Sequence, residues 1–185
     1  MEIKGFTDNK MFDLVMENRE ICEHILQTVF PDKEFQLTED KMYNGSTHIQ
    51  SAVSGDGTPY DIYLQPTTEH GINLGKLMRK CQTVLDRDAL EAQNMDLLKD
   101  TIVLLFCNNK DMPESLNVYG QYEDRDAGIV LETRDKHAVI NGLGKSHRIN
   151  SKEFLDLLRL IRNEPVEDDP ILKRAEQIIK DNSEN

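Results

Sequence analysis

The stretch that decides the fold is Thr47–Gln65, which reads THIQSAVSGDGTPYDIYLQ. Two runs that alternate apolar and polar residues flank Ser54–Pro59, a segment rich in Gly and Pro. Alternation at a period of two predicts strands, and a Gly/Pro-rich break between such runs predicts a hairpin loop. The sequence therefore predicts a β-hairpin in this stretch.

The same alternation assigns the polar side chains of the hairpin to the faces of its strands. On the second strand, one face carries Asp61, Tyr63 and Gln65, a polar-x-Gln triplet preceded by an acid. On the first strand, Gln50 shares its face with His48. These five side chains are the candidates for a site on the hairpin.

The rest of the chain predicts an α/β fold. Thr101–Cys107 is nearly all apolar, which is typical of a strand buried on both faces of a mixed or parallel sheet. Helical patterns cover 9–30, 72–90, a segment after Ser151 and 171–179, and further strand patterns cover 34–38, 116–122, 128–133 and 137–140. His137 and His147 lack metal-ligand spacing and are interpreted as surface or loop residues. We expect one domain over 1–162, followed over 163–185 by an acidic linker and a helix that either packs on the core or reaches a partner.

The hairpin and the order of elements around it resemble the PD-(D/E)XK nuclease superfamily. The chain is most similar to the Rpn-type branch of recombination-promoting nucleases and transposase-like proteins, in which a helix like the one bearing Arg79 and Gln82 follows the hairpin. In that branch an Asp on the first strand and a Glu on the second hold a divalent metal, and a Gln follows the Glu by two residues. Matched to this sequence, the Asp position is Gln50, the Glu position is Tyr63, and the Gln is kept as Gln65. The resemblance implies a restriction-endonuclease-like α/β core and a bacterial or phage protein of DNA recombination.

Both metal-binding carboxylates of that pattern are absent from the matched positions. Gln50 offers a neutral amide oxygen, and Tyr63 offers a phenol that is protonated at neutral pH, so neither suits Mg²⁺. We therefore expect a catalytically degenerate protein without a cofactor, which acts as a binding or regulatory module. The alternative is an active Mg²⁺-dependent DNA endonuclease with a relocated carboxylate site, built from Asp61 with His48 or Asp56. The other interpretation of Asp61 is a solvated strand residue beside the turn.

The charge of the chain bears on its partners. The net charge is −12, and an acidic field repels phosphate backbones. Lys76, Arg79 and Lys80 fall near one stripe of a predicted helix and are either a small nucleic-acid-binding patch or a solvated face. Lys80 and Cys81 stand where the family pattern often has aromatic residues after the Arg. A protein partner or self-association is thus expected ahead of DNA.

Composition also predicts the compartment. Cys22, Cys81 and Cys107 are odd in number and widely spaced, which indicates reduced core thiols and not a disulfide framework or a zinc site. Residues 1–10 lack the apolar core of a signal peptide, and the apolar run Ile102–Cys107 is too short to span a bilayer. We expect a cytoplasmic protein without a membrane segment.

Overall fold

A computed structural model describes residues 4–43, 47–124 and 129–183 of the 185-residue chain. They form a mixed α/β fold in which helices pack on both faces of a six-stranded sheet. The helices are α1 (Asn9–Met16), α2 (Arg19–Val29), α3 (Gly71–Leu85), α4 (Arg87–Glu91), a 3₁₀ turn (Met95–Leu97), α5 (Lys152–Arg162) and α6 (Pro170–Ser183). The strands are β1 (Phe35–Tyr43), β2 (Thr47–Ser54), β3 (Pro59–Pro66), β4 (Asp100–Cys107), β5 (Leu116–Asp124) and β6 (Ile129–Asn141). The predicted α/β class, with a mixed sheet between helices, is confirmed.

The sheet combines an antiparallel half and a parallel centre. The strand order is β1-β2-β3-β4-β6-β5, and β1, β2 and β3 form an antiparallel meander. β4 pairs in parallel with β3 on one side and with β6 on the other, and β5 returns antiparallel to β6. A parallel pair needs a crossover connection, which α3 and α4 supply between β3 and β4.

β4 is covered on both faces, as the apolar run predicts. Ile102, Leu104 and Phe106 pack in a larger core that includes α1, α2, α5 and α6. Val103 and Leu105 point to the other face and pack in a smaller core beneath α3. All five side chains are fully buried, which confirms the prediction of a central strand.

The two cores differ in composition. The larger core contains the rings of Phe6, Phe12 and Phe106, whose centroids lie 5.3–5.5 Å apart in edge-on and tilted contacts. Such aromatic contacts stabilise a core beyond the area that they bury. In the smaller core, α3 contributes only aliphatic and sulfur side chains, Leu74, Met78 and Cys81, to the buried set. The sheet thus separates a thick helical layer from a thin one.

The first helical pattern forms two helices instead of one. Asp8 caps α1 as expected, since its side chain accepts a hydrogen bond from the backbone N–H of Met11 at 3.2 Å. Asn18 then interrupts the helix with an extended backbone (ψ 103°) and accepts from the N–H of Ile21 at 3.2 Å. A side-chain cap of this kind satisfies the free N–H groups of a new helix, so the chain restarts at α2.

Two other predicted boundaries were wrong. The pattern over 72–90 is divided at Asp86, whose ψ of −1° ends α3 before α4 begins. The strand patterns predicted over 128–133 and 137–140 belong to one strand, β6. Residue 128 lies outside the described residues. The residues between the two predicted strands continue the strand, and Lys136 and His137 pair with Ile102 and Val103 of β4.

Asp156 holds the segment between α5 and α6 against the domain. Its buried carboxylate accepts the backbone N–H groups of Glu167, Asp168 and Asp169 at 3.0, 2.8 and 2.7 Å, and Arg159 donates at 2.7 Å. Burial by itself would raise the pKa of Asp156, but these donors outweigh it and lower the pKa from 3.8 to about 2. One carboxylate therefore organises a segment whose composition suggests a linker.

The last helix packs on the core, which is one of the two alternatives that its sequence allows. Leu172, Ala175 and Ile179 on α6 are buried in the larger core.

Within the described ranges, no helix has both the length and the apolar character needed to cross a membrane.

We predict that Leu104→Ala destabilises the protein by about 2–5 kcal/mol, the usual cost of a cavity at a fully buried leucine. Chemical denaturation followed by circular dichroism measures this change. Val118→Ala is the matched control, since Val118 is 45% exposed and its truncation should cost less than about 1 kcal/mol. Equal losses in the two variants would contradict the central position of β4.

We also predict that Asp156→Asn removes about 2 kcal/mol of stability at neutral pH, the value of a pKa lowered by nearly two units. A carboxylate with a lowered pKa stabilises the fold above its unfolded pKa, and this stabilisation disappears as the pH falls from about 4 to about 2. The difference between parent and variant should therefore shrink over that window. Asp168→Asn changes an exposed carboxylate and should alter stability by less than about 0.5 kcal/mol. A difference for Asp156→Asn that stays constant with pH would refute the electrostatic role.

Candidate functional site

The register of the hairpin decides which candidate side chains meet. β2 and β3 pair antiparallel with Gln50 opposite Ile62 and Ile49 opposite Tyr63. Directly opposed residues project from the same face of a sheet. Tyr63 and Gln65 therefore face α3, whereas Gln50 faces the opposite side with Ile62. The three positions matched to the nuclease pattern do not converge on one point.

Gln50 lies in the interior on the side of the larger core. Its side chain is 1% exposed, and its Oε1 accepts no hydrogen bond from the described part of the chain. Its neighbour Ala52 and its partner Ile62 are both members of the larger core. A side chain this deeply buried has no direct route to a substrate or a hydrated metal.

Tyr63 fills the space between the sheet and α3. It is 5% exposed and belongs to the smaller core with Met78, Cys81 and Val103. Burial raises the pKa of the Cys81 thiol to about 11, and a hydrogen bond with Tyr63 opposes the shift. The thiol is thus neutral at physiological pH, and an aromatic ring stands where the family pattern has a metal-binding acid.

The two carboxylates of the alternative, relocated site, Asp61 and Asp56, accept hydrogen bonds from nearby side chains and backbone. Asp61 accepts from Ser51 Oγ at 2.7 Å and from Lys99 Nζ at 3.0 Å, so it is neither a free ligand nor a solvated residue. Asp56 accepts from Ser54 Oγ at 2.5 Å and from the N–H of Thr58 at 3.0 Å. Hydrogen bonds from Ser54 and Thr58 lower the pKa of Asp56 to about 2.

The donor set does not fit a resident metal ion. The side chain of His48, which completes one relocated set, lies outside the described residues. Among the side chains that are described, no group of three His, Cys, Asp or Glu residues is arranged to hold a metal. Asp61 and Asp56 accept hydrogen bonds from different donors of the hairpin, so these two carboxylates do not share a set of ligands.

A polar cluster that the sequence reasoning missed links α3 to the sheet. Gln82 donates to both carboxylate oxygens of Asp86 at 3.1 Å and to Thr101 Oγ1 at 2.9 Å. Thr101 in turn donates to Asp135 at 2.8 Å, and His137 Nε2 lies 3.1 Å from Gln82 Oε1. The i, i+4 spacing of Gln82 and Asp86 is the sequence signal that could have indicated it.

His137 was wrongly assigned to the surface or a loop, because it is a half-buried residue of β6. Burial lowers the pKa of His137, and Asp135 and Asp86 oppose that shift. Burial also raises the pKa of Asp86. The contact of His137 Nε2 with Gln82 Oε1 joins β6 to α3, so the cluster is a hydrogen-bonded support that holds α3 on the sheet.

Gln65, the one kept position of the family motif, borders a polar cleft of about 370 Å³. The cleft lies where the end of β3 and the following loop meet the start of α1. Its lining residues are Thr7, Asp8, Asn9, Gln65, Pro66, Thr67, Thr68, Glu69 and Leu77. Asp8 and Glu69 are its two carboxylates, and Asp8 also caps α1.

The predicted basic residues lie elsewhere. Lys76, Arg79 and Lys80 are exposed on the outer surface of α3, and none of them lines the cleft or contacts Asp61.

The prediction of reduced core thiols is confirmed in part, since Cys22, Cys81 and Cys107 are buried free thiols.

Comparison with models of known protein families, with curated proteins and with solved structures finds no match to this chain.

We predict that Gln50→Leu is neutral or stabilises the protein by about 1 kcal/mol, because it removes a buried acceptor without a partner and keeps a similar volume. Thermal and chemical unfolding measure the change. Gln36→Leu on exposed β1 surface is the matched control and should lie within about 0.5 kcal/mol of the parent. A loss above about 1 kcal/mol in Gln50→Leu would show that the amide makes hydrogen bonds that keep it in place.

Proposed function

We propose that this chain is a catalytically silent member of the PD-(D/E)XK superfamily, of the Rpn-type branch, and that it acts as a binding or regulatory module. The support comes from the face of β3 that packs on α3. Tyr63 is buried against Cys81 in the position of the family's Glu, and Gln50 is turned to the other side of the sheet. Hydrolysis of a phosphodiester by this superfamily needs a hard cation beside the scissile phosphate, and the matched positions offer it no carboxylate.

The element order is compatible with this proposal. An opening helical region, the hairpin, the helix α3 with Arg79 and Gln82, the buried strand β4 and a helical end follow one another in the order on which the resemblance depends. A restriction-endonuclease-like core is the finer fold that we propose within the α/β class.

A protein partner or a second copy of the chain fits the charge better than DNA does. The net charge of −12 opposes the approach of a polyanion, and the three basic residues of α3 are too few to reverse that field. We place the protein in the cytoplasm, in keeping with three buried free thiols, since reducing compartments preserve such thiols.

An active endonuclease with relocated carboxylates is the second candidate function. The observation that favours it is the polar cleft, where Asp8 and Glu69 lie around the kept Gln65. Mg²⁺ sites often use one or two carboxylates together with water, so this cleft is where a relocated site would form.

We predict that the purified protein does not cleave supercoiled or linear DNA in Mg²⁺ or Mn²⁺ above the level of a buffer control. Gel analysis after long incubation measures cleavage. Nicking that requires metal and disappears in Glu69→Gln or Asp61→Asn, but persists in the matched surface variant Asp32→Asn, would establish the second candidate. Nicking that is equal in all variants would identify a contaminating nuclease and leave the proposed function standing.

A further inference from the structure

The outer surface of residues 71–99, here called the α3–α4 face, carries apolar side chains that the fold does not bury. Every residue from 90 to 99 is exposed. Leu90, Met95 and Leu97 are 54%, 70% and 51% exposed, and the 3₁₀ turn contains no buried residue. Neighbouring large apolar side chains in water at one place on a surface indicate an interaction site.

The charges of the α3–α4 face are divided along its length. Lys76, Arg79 and Lys80 are exposed in the first half of the face, and Asp88, Glu91 and Asp96 are exposed in the second half. Among the residues that the structure describes, none forms a salt bridge with any of these six side chains. The face thus presents a cationic end and an acidic end, with apolar side chains beside the acids.

The α3–α4 face lacks the acidic excess of the chain as a whole. Residues 71–99 contain five Lys or Arg and four Asp or Glu, whereas the remainder of the chain contains seventeen against thirty. Two copies of a chain with a net charge of −12 repel each other at most orientations. That repulsion is weaker where this face of one copy meets the same face of the other, because the face carries no excess of acids.

We propose that the α3–α4 face binds a second copy of the chain across a two-fold axis, with α3 of one copy beside α4 and the 3₁₀ turn of the other. An isologous contact presents each patch to itself in reversed direction. Reversal sets the cationic end of each copy against the acidic end of its partner and covers Leu90, Met95 and Leu97. Residues 71–99 number 29, which matches the roughly 20–30 residues that each side of a standard interface provides.

The division of charge selects a second copy over other occupants. DNA would be attracted by Lys76, Arg79 and Lys80 but repelled by Asp88, Glu91 and Asp96 along the same face. An acidic protein segment would meet the same repulsion. The proposal does not depend on whether the chain has lost nuclease chemistry, because none of these residues lies in the hairpin or the polar cleft.

Sedimentation velocity of the full chain over a wide concentration range tests the apolar part of the proposal. The parent should form a dimer as concentration rises, and Met95→Asp and Leu97→Asp should each weaken it by at least about tenfold. Both side chains are exposed, so melting temperatures should confirm that the variants fold. Val118→Asp, at a 45% exposed position on the edge strand β5, is the control and should leave the dimer unchanged.

Charge reversal tests the arrangement of the two copies. One variant carries Lys76→Glu, Arg79→Glu and Lys80→Glu, and the other carries Asp88→Lys, Glu91→Lys and Asp96→Lys. Each variant alone should be monomeric, because the charged side chains at the two ends of its α3–α4 face then have the same sign and repel those of a second copy. An equimolar mixture of the two variants should form heterodimers, and added salt should weaken them.

Three results would overturn the proposal. The first is a parent protein that stays monomeric at every concentration. The second is a dimer that Val118→Asp disrupts and Met95→Asp and Leu97→Asp do not, which would place the contact at the sheet edge. The third is a mixture of charge-reversed variants that stays monomeric, or a parent that binds DNA through Lys76, Arg79 and Lys80 as a monomer.

Discussion

The burial of β4 on both faces is the constraint on which the rest of the structure depends. Ile102, Leu104 and Phe106 need a cover on one side of the sheet, and Val103 and Leu105 need a cover on the other. A strand of this kind is stable only inside a sheet, so β3 and β6 flank it. Both neighbours are parallel to β4. The crossover from β3 to β4 places α3 over one face of the sheet. The other face is covered by α1 and α2, which precede β1, and by α5 and α6, which follow β6.

The register of the hairpin sets where the candidate site residues lie. Asp56 accepts hydrogen bonds from both sides of the turn, and Gly57 adopts a φ of +86°, a conformation that favours glycine. In the sheet that continues from this turn, Tyr63 lies opposite Ile49 and not opposite Gln50. Because side chains alternate between faces, this pairing separates the two positions matched to the nuclease acids by the thickness of the sheet. The two side chains therefore lie in two different cores.

The acidic composition of the chain is partly explained by structural uses of carboxylates. Asp8 caps a helix, Asp56 closes a turn, and Asp156 collects three backbone N–H groups. For Asp56 and Asp156 these hydrogen bonds also lower the pKa, so the charged form is stabilised where it lies. The acids that remain exposed set the long-range field, which favours a protein partner over a polyanion in the function that we propose.

The sequence by itself determined the elements that depend on local chemistry. The apolar run of β4, the cap at Asp8 and the Gly/Pro-rich hairpin turn each follow from residue types and spacing, and each is present in the structure. Only the tertiary structure decided the register of β2 against β3, because each strand taken alone shows a period of two and carries no mark of its partner's position. It also decided the polar cluster around Gln82, whose members are far apart in sequence and meet only when α3 packs on the sheet. A one-residue change in register would have placed Gln50 beside Tyr63, and that choice belongs to the packing of the whole sheet.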